Sequence, residues 1–181
     1  MKRVMILGQS GSGKSRLARA LSDRTGLPAI HLDRFYWAPG WVPRDRPERE
    51  RMMLEAAQGP RWIIDGNYFS TACTRIARAD TVILLDIPVM LRFWRVLRRT
   101  ATSYGRVRPD LADGCPEHVS MDFWRWVWAS RQETRARLGA LIAAATPETE
   151  IVILRSPGAV RRFLDGQAPR RAAPGARTIP A

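Results

Sequence analysis

The stretch GQSGSGKS, residues 8–15, constrains this chain more than any other. It fits the pattern G-x-x-x-x-G-K-[ST], a glycine-rich turn between a strand and a helix whose backbone N–H groups converge on phosphate oxygens. The flanks agree with that context. RVMIL (3–7) is a dense apolar run, read as a core strand, and residues 14–24 carry helical spacing through Leu17, Ala18 and Leu21. Gly8, Gly11 and Gly13 permit tight backbone turns. The candidate phosphate cradle runs through Gly8, Gln9, Ser10, Gly11, Ser12, Gly13, Lys14, Ser15 and Arg16. The helix N-terminus adds favourable positive potential. Lys14 is expected to reach the β- and γ-phosphates as a catalytic group, and the Ser15 hydroxyl to coordinate Mg²⁺. A nucleoside triphosphate with Mg²⁺ is the ligand this turn implies.

The remaining chain reads as strands alternating with helices. Further strands are expected at AIHLD (29–33), RWIID (61–65), TVILLD (81–86) and EIVILR (150–155). Helices are expected near 47–58, 70–79, 89–102, 119–145 and 157–165, with an aromatic, proline- and arginine-rich loop at 34–46. Short apolar strands between helices argue an α/β fold with a mostly parallel sheet covered on both faces. The chain of 181 residues is expected to form one domain over 1–166, with an irregular insertion near 103–118 and a disordered basic tail over 167–181.

Ligands of open α/β sheets gather beyond the C-terminal strand ends, which singles out Asp33, Asp65 and Asp86. Asp65 is the first choice for holding a Mg²⁺-bound water; Asp86 either assists the metal or ends a strand. Asp33 can orient or deprotonate an acceptor hydroxyl. His31, two residues earlier in the same expected strand, shares its face and either binds substrate, adjusts Asp33 or is a satisfied core histidine. Arg95 and Arg99 share a face of one expected helix and suit charge stabilisation during phosphoryl transfer. Arg106 and Arg108, in SYGRVRPDLADGCPE (103–117), belong to a segment able to close over phosphates; the bland alternative for all four is a solvated face. In FYWAPGW, Tyr36, Trp37 and Trp41 are candidates to cover the acceptor, as are Asn67 and Tyr68 after the third long strand. Trp124, Trp126 and Trp128 are expected to serve packing, and Cys115 to be structural.

The formal charge is +13, and 28 of the 30 basic residues are arginine. That balance favours anionic partners without choosing among nucleotides, phosphates and nucleic acid. Cys73 and Cys115 form neither a metal spacing nor a disulfide framework, so a reducing cytoplasm is the expected location. No apolar run approaches the ~18 residues of a membrane span, so no membrane partner is expected.

The succession GQSGSGKS, IHLDRFYWAPGW, WIIDGNY, RVRPDLADGCPE, FWRWVW and VILRS resembles the bacterial adenylate kinase-like P-loop proteins known as DNA topology modulation proteins of the FlaR type. The resemblance implies a P-loop NTPase fold of the nucleoside monophosphate kinase type: a five-stranded parallel sheet of order 2-3-1-4-5 flanked by helices, with a mobile lid. It implies ATP as phosphoryl donor and Asp65 at the metal-water position. It also puts Arg95 and Arg99 at the lid base, Arg106 and Arg108 within the lid, and Ser156, Pro157 and Gly158 near the adenine. True adenylate kinases commonly follow the aspartate with Gly-Phe-Pro-Arg, whereas this chain has DGNY, which argues against AMP as acceptor. The expected function is an ATP- and Mg²⁺-dependent phosphotransferase or NTPase with an unidentified nucleotide or other small acceptor. The alternative is an ATP-responsive regulator affecting DNA topology, with weak nucleic-acid binding through its basic surface.

Overall fold

A computed structural model describes residues 1–167. In chain order its strands are β1 (Arg3–Gly8), β2 (Ala29–His31), β3 (Trp37–Ala38), β4 (Val42–Pro43), β5 (Trp62–Asp65), β6 (Thr81–Leu85) and β7 (Glu150–Leu154). The helices are α1 (Lys14–Thr25), α2 (Asp33–Tyr36), α3 (Arg46–Ala56), α4 (Phe69–Arg78), α5 (Val89–Ser103), α6 (Met121–Ala129), α7 (Arg131–Ala143) and α8 (Pro157–Asp165). Five strands form one parallel sheet in the order β2-β5-β1-β6-β7. The labels 2-3-1-4-5 do not carry over as written, because β3 and β4 interrupt the count and pair only with each other, antiparallel.

The central strands are apolar on both faces because both faces are covered. Val4 and Ile6 of β1 point to one side with Ile63 and Ile83, against Leu17 and Leu21 of α1 and Phe163 of α8. Met5 and Leu7 point to the other, with Ile64 and Val82, against Met53 of α3, Ala72 and Ile76 of α4, and Leu138 and Leu141 of α7. At its C-terminal end β1 runs into the glycine turn.

Four local expectations change. The second strand stops at His31, and Asp33 instead opens the one-turn helix α2. The expected loop at 34–46 contains that helix and the β3–β4 hairpin, whose turn holds Gly40 and Trp41 at positive φ. The expected helix over 119–145 is two helices meeting at Ser130, the first capped by the Ser120 hydroxyl, which accepts from the Phe123 N–H at 3.1 Å. Trp124 packs edge-on against Phe93 at 6.3 Å, but Trp126 and Trp128 are exposed rather than packed in the core. Of the expected tail, 168–181 lie outside the described residues; Gln167 is placed, its side-chain amide donating to the Phe163 carbonyl at 3.2 Å. Among the described residues no helix is long and apolar enough to cross a membrane.

Candidate phosphate and acceptor site

The turn after β1 is held from outside by helix α5. The Arg92 guanidinium donates from Nη1 to the Ser10 carbonyl at 3.3 Å and from Nε to the Ile87 carbonyl at 3.0 Å. Arg95 donates to the Ser12 carbonyl at 3.0 Å. Engaging these carbonyls from behind leaves the N–H side of the loop for a ligand. Gly11, at φ 77°, is required twice over: its backbone is left-handed, and a Cβ there would overlap the Arg92 carbonyl oxygen. Asn67 closes the opposite side, its Oδ1 accepting from the Gly8 N–H at 3.2 Å. Lys14 folds over the loop, donating to the carbonyls of Gly8 at 2.9 Å and Gln9 at 3.3 Å. The Ser12 hydroxyl is buried with no hydrogen-bond partner. A buried polar group without a partner is costly, so this atom suits an incoming phosphate oxygen.

Beside Lys14 stand two carboxylates. Asp65, at the end of β5, is buried, and its Oδ1 lies 2.7 Å from His31 Nδ1, itself buried at the end of the adjacent strand β2. The register places these two residues directly opposite each other. His31 therefore supports Asp65, not Asp33 as its position two residues away suggested. Asp33 instead accepts from the Tyr68 hydroxyl at 2.5 Å. Burial pulls the Lys14 ammonium below its ordinary pKa, with Asp33 and Asp65 opposing that shift. Burial likewise pushes the Asp33 carboxyl above the usual carboxylate range, against the Tyr68 hydrogen bond and the Lys14 charge. Lys14, Asp33 and Asp65 thus share one partly dehydrated field, and the fields of Arg99 and Arg108 reach into it.

Those two arginines are positioned by carboxylates that the sequence reading passed over. Arg99 donates to buried Glu117 at 3.1 Å, and Arg108 Nε lies 2.9 Å from the other Glu117 oxygen. Arg108 also binds buried Asp110 at 2.8 Å, which Arg19 of α1 contacts at 3.3 Å. Burial alone would raise the Asp110 carboxyl; Arg108, a backbone N–H and Arg19 outweigh it and hold the group low. Asp110 and Glu117 were visible as acidic residues within an arginine-rich segment, and that contrast was the available signal.

The turn Gly66–Asn67–Tyr68 depends on a third missed residue. Arg75 of α4 is fully buried and donates to the carbonyls of Gly66 at 3.1 Å, Asn67 at 2.6 Å and Tyr68 at 3.0 Å. Burial lowers its pKa to about 10. The signal was an arginine flanked on the buried face of α4 by Thr71, Ala72 and Ile76. Arg75→Leu leaves three carbonyls unmatched, and Tyr68 sits at a strained positive φ of 27°. We expect a loss of about 2–4 kcal/mol in urea unfolding, with a displaced Tyr68; unchanged stability would show that water takes over all three carbonyls.

The other expected site residues divide. Tyr36 lies tilted against Tyr68, ring centroids 5.2 Å apart, under the Arg49 guanidinium. Trp37 and Trp41 pack on Leu111, Ala112 and Cys115, and Trp41 Nε1 donates to the Pro116 carbonyl at 2.8 Å. The hairpin is thereby fastened to the 104–120 connection, also through the Gly40 N–H and the Gly114 carbonyl at 2.7 Å. Cys115 is buried, its thiol donating to the Ala38 carbonyl at 3.3 Å. Arg106 is exposed and is not gathered with Arg99 and Arg108. Asp86 faces Arg135 and Arg155, at 3.5 and 3.7 Å. Ser156 caps α8, accepting from the Ala159 N–H, with Pro157 and Gly158 in the first turn; Arg16 is exposed and Ser15 half-buried at the start of α1.

No protein-family model matches the chain. A search of curated proteins finds the uncharacterized protein YqaC of Bacillus subtilis (strain 168), 33% identical over 129 residues, covering 69% of this chain and 70% of YqaC. The chain belongs to the YqaC family. Among solved structures, shikimate kinase from Acinetobacter baumannii, in complex with shikimate, superposes on this YqaC relative with a TM-score of 0.54 at 17% identity, over 91% of this chain and 89% of that one. Shikimate kinase from Bacteroides thetaiotaomicron gives 0.53 at 20% identity, over 91% and 97%. The YqaC relative therefore has the α/β fold of P-loop kinases.

Proposed function

We propose that this YqaC relative is an ATP-dependent phosphotransferase acting on a small hydroxyl acceptor. The resemblance to adenylate kinase-like proteins of the FlaR type, and the nucleoside monophosphate kinase type of fold, belong to this reading. The observation that carries it is the gathering of Lys14, Asp33 and Asp65 in one partly dehydrated field beside a phosphate-type loop, a field that the charges of Arg99 and Arg108 also reach. The partnerless Ser12 hydroxyl fits a bound triphosphate.

In this reading Gly8–Ser15 cradle the β- and γ-phosphates, and Lys14 leaves its loop carbonyls for the γ-phosphate. Among the described residues no three His, Cys, Asp or Glu side chains gather as a metal cage. Mg²⁺ would be held in a site of another kind, by the Ser15 hydroxyl and, through water, by Asp65, beside the bound phosphates. When bound, the ion neutralises charge on the β- and γ-phosphates. His31 fixes the Asp65 carboxylate for that contact, as second-shell partners do. Asp33 orients the acceptor hydroxyl and takes its proton. Arg99 and Arg108, steadied by Glu117, stabilise charge on the transferred group. Residues near 103–118 then serve as a lid within a domain spanning 1–166.

The direct test is acceptor-dependent transfer of label from γ-labelled ATP in Mg²⁺. Release of label to water alone, unaffected by any acceptor in a broad screen, would reduce the reading to an NTPase. The metal assignment has its own check. Asp65→Asn keeps the shape and removes the charge, so half-maximal turnover should need about tenfold more Mg²⁺; an unshifted titration would move the metal elsewhere.

A further inference from the structure

A groove of about 570 Å³ opens beside the edge strand β2, on the flank of the site that carries His31. Its size is in the range of small-molecule sites. Its apolar wall is Phe35 of α2, Pro39 of the hairpin, Met52 of α3 and Ala112 of the 104–120 connection. Two guanidiniums, Arg34 and Arg44, line it, with exposed Asp113 on the 104–120 side. His31 lies in both places, lining the groove and bonding Asp65, and Arg34 follows Asp33 directly in α2.

The two arginines differ from those around the phosphate loop. Arg92 and Arg95 are tied to backbone carbonyls, and Arg99 and Arg108 to buried carboxylates at hydrogen-bond distance. Arg44 has its Nε buried without a partner, and Glu48 is 3.8 Å from its Nη1, beyond a hydrogen bond. Among the described residues no carboxylate lies within 4 Å of Arg34. A concave, half-apolar groove with two guanidinium forks, neither hydrogen-bonded to a carboxylate, is complementary to a small organic anion, because such forks match carboxylate and phosphate oxygens in pairs.

We propose that the acceptor is an anionic hydroxyl compound whose carboxylate or phosphate is held by Arg34 and Arg44 while its hydroxyl is presented to Asp33. This rests on the phosphotransferase reading above. In the step it serves, the acceptor oxygen forms a bond to the γ-phosphorus. The bond from that phosphorus to the β,γ-bridging oxygen breaks, ADP departs with the electron pair, and the hydroxyl proton passes to Asp33. The charged end of the acceptor supplies the binding energy that orients its hydroxyl.

The test uses matched sets of acceptors: glycerol, D-glycerate and glycerol 3-phosphate, and D-glucitol, D-gluconate and D-glucitol 6-phosphate. Binding is followed by calorimetry with the phosphate loop filled by a non-hydrolysable ATP analogue and Mg²⁺, and again in Lys14→Ala without nucleotide. We expect the anions of at least one set to bind about tenfold or more tighter than their neutral polyol. Arg34→Gln/Arg44→Gln should remove that preference, and Arg44→Lys should restore part of it to Arg44→Gln. Thermal melting establishes that each variant is folded, and Arg34→Gln, at an exposed position, serves if the double variant is not. The carboxylate and phosphate arms separate the two kinds of anion. Equal binding of polyol and anion, no binding by either set, or an anion preference that survives in the folded variants would each overturn the proposal. Failure of the kinase reading looks different: the analogue does not bind and no acceptor is phosphorylated, whatever the groove binds.

Discussion

Lys14→Ala lowers phosphoryl transfer by about 10²–10³-fold, the scale of losing one preorganised charged stabiliser. The side chain needs no distant rearrangement to act. Its ammonium already lies over the loop, bonded to the carbonyls of Gly8 and Gln9. Its lowered pKa marks a charge drawn out of water, which strengthens its pull on a phosphate that replaces those carbonyls. The fold should survive, because the carbonyls it leaves stand on a glycine turn separately held by Arg92 and Arg95. The measurement is ATP affinity by calorimetry together with turnover of label from the γ-phosphate, wild type against variant. Equal affinity and equal turnover would remove the phosphate loop from the proposed chemistry.

Asp33→Asn separates binding from transfer. ATP affinity should change little, while transfer to the acceptor falls by about 10²-fold or more, the usual scale of a lost general base. The same substitution has the opposite effect on stability. Burial raises the Asp33 pKa in the folded chain above its unfolded value, so between those two values the folded state holds a proton that the unfolded state has released. The ionised native carboxylate therefore costs stability that accumulates as pH climbs through that window and stays constant above it. The variant, which keeps an acceptor for the Tyr68 hydroxyl, escapes the cost. Its melting temperature should exceed that of the wild type at pH 8, and the gap should close as pH drops toward the ordinary carboxylate range. Transfer by the wild type should rise with pH through the same raised value. A variant that transfers at the wild-type rate would show that Asp33 is not the base, and a stability gap independent of pH would show that it is not a strained charge. Such a trade of stability for activity is what a functional carboxylate shows and a structural one does not.

Much of the framework was legible without coordinates. A strand buried on both faces must be apolar along its length, and a helix over it must carry apolar residues at helical spacing, so β1, β5, β6 and α1 announced themselves locally. The phosphate loop was equally plain, because three glycines, a lysine and a serine at fixed intervals satisfy backbone geometry and phosphate chemistry at once. The hairpin at 37–43 was not, since a pair of two-residue strands has no periodicity to read.

The partnerships inside the site were beyond any local pattern. His31 and Asp33 are neighbours in sequence, yet Asp65, 34 positions from His31, takes the imidazole because strand register sets them side by side. The chain also turns helical at Asp33, which sends that carboxylate to Tyr68 instead. Arg75 and Glu117 look like ordinary surface charges until packing buries them, and burial then obliges each to find partners. The sequence by itself determined the sheet, its covering helices and the loop built for phosphate, because those follow from short-range spacing. Only the tertiary structure decided which carboxylate each charged group meets, because those contacts join residues brought together by strand register and helix packing.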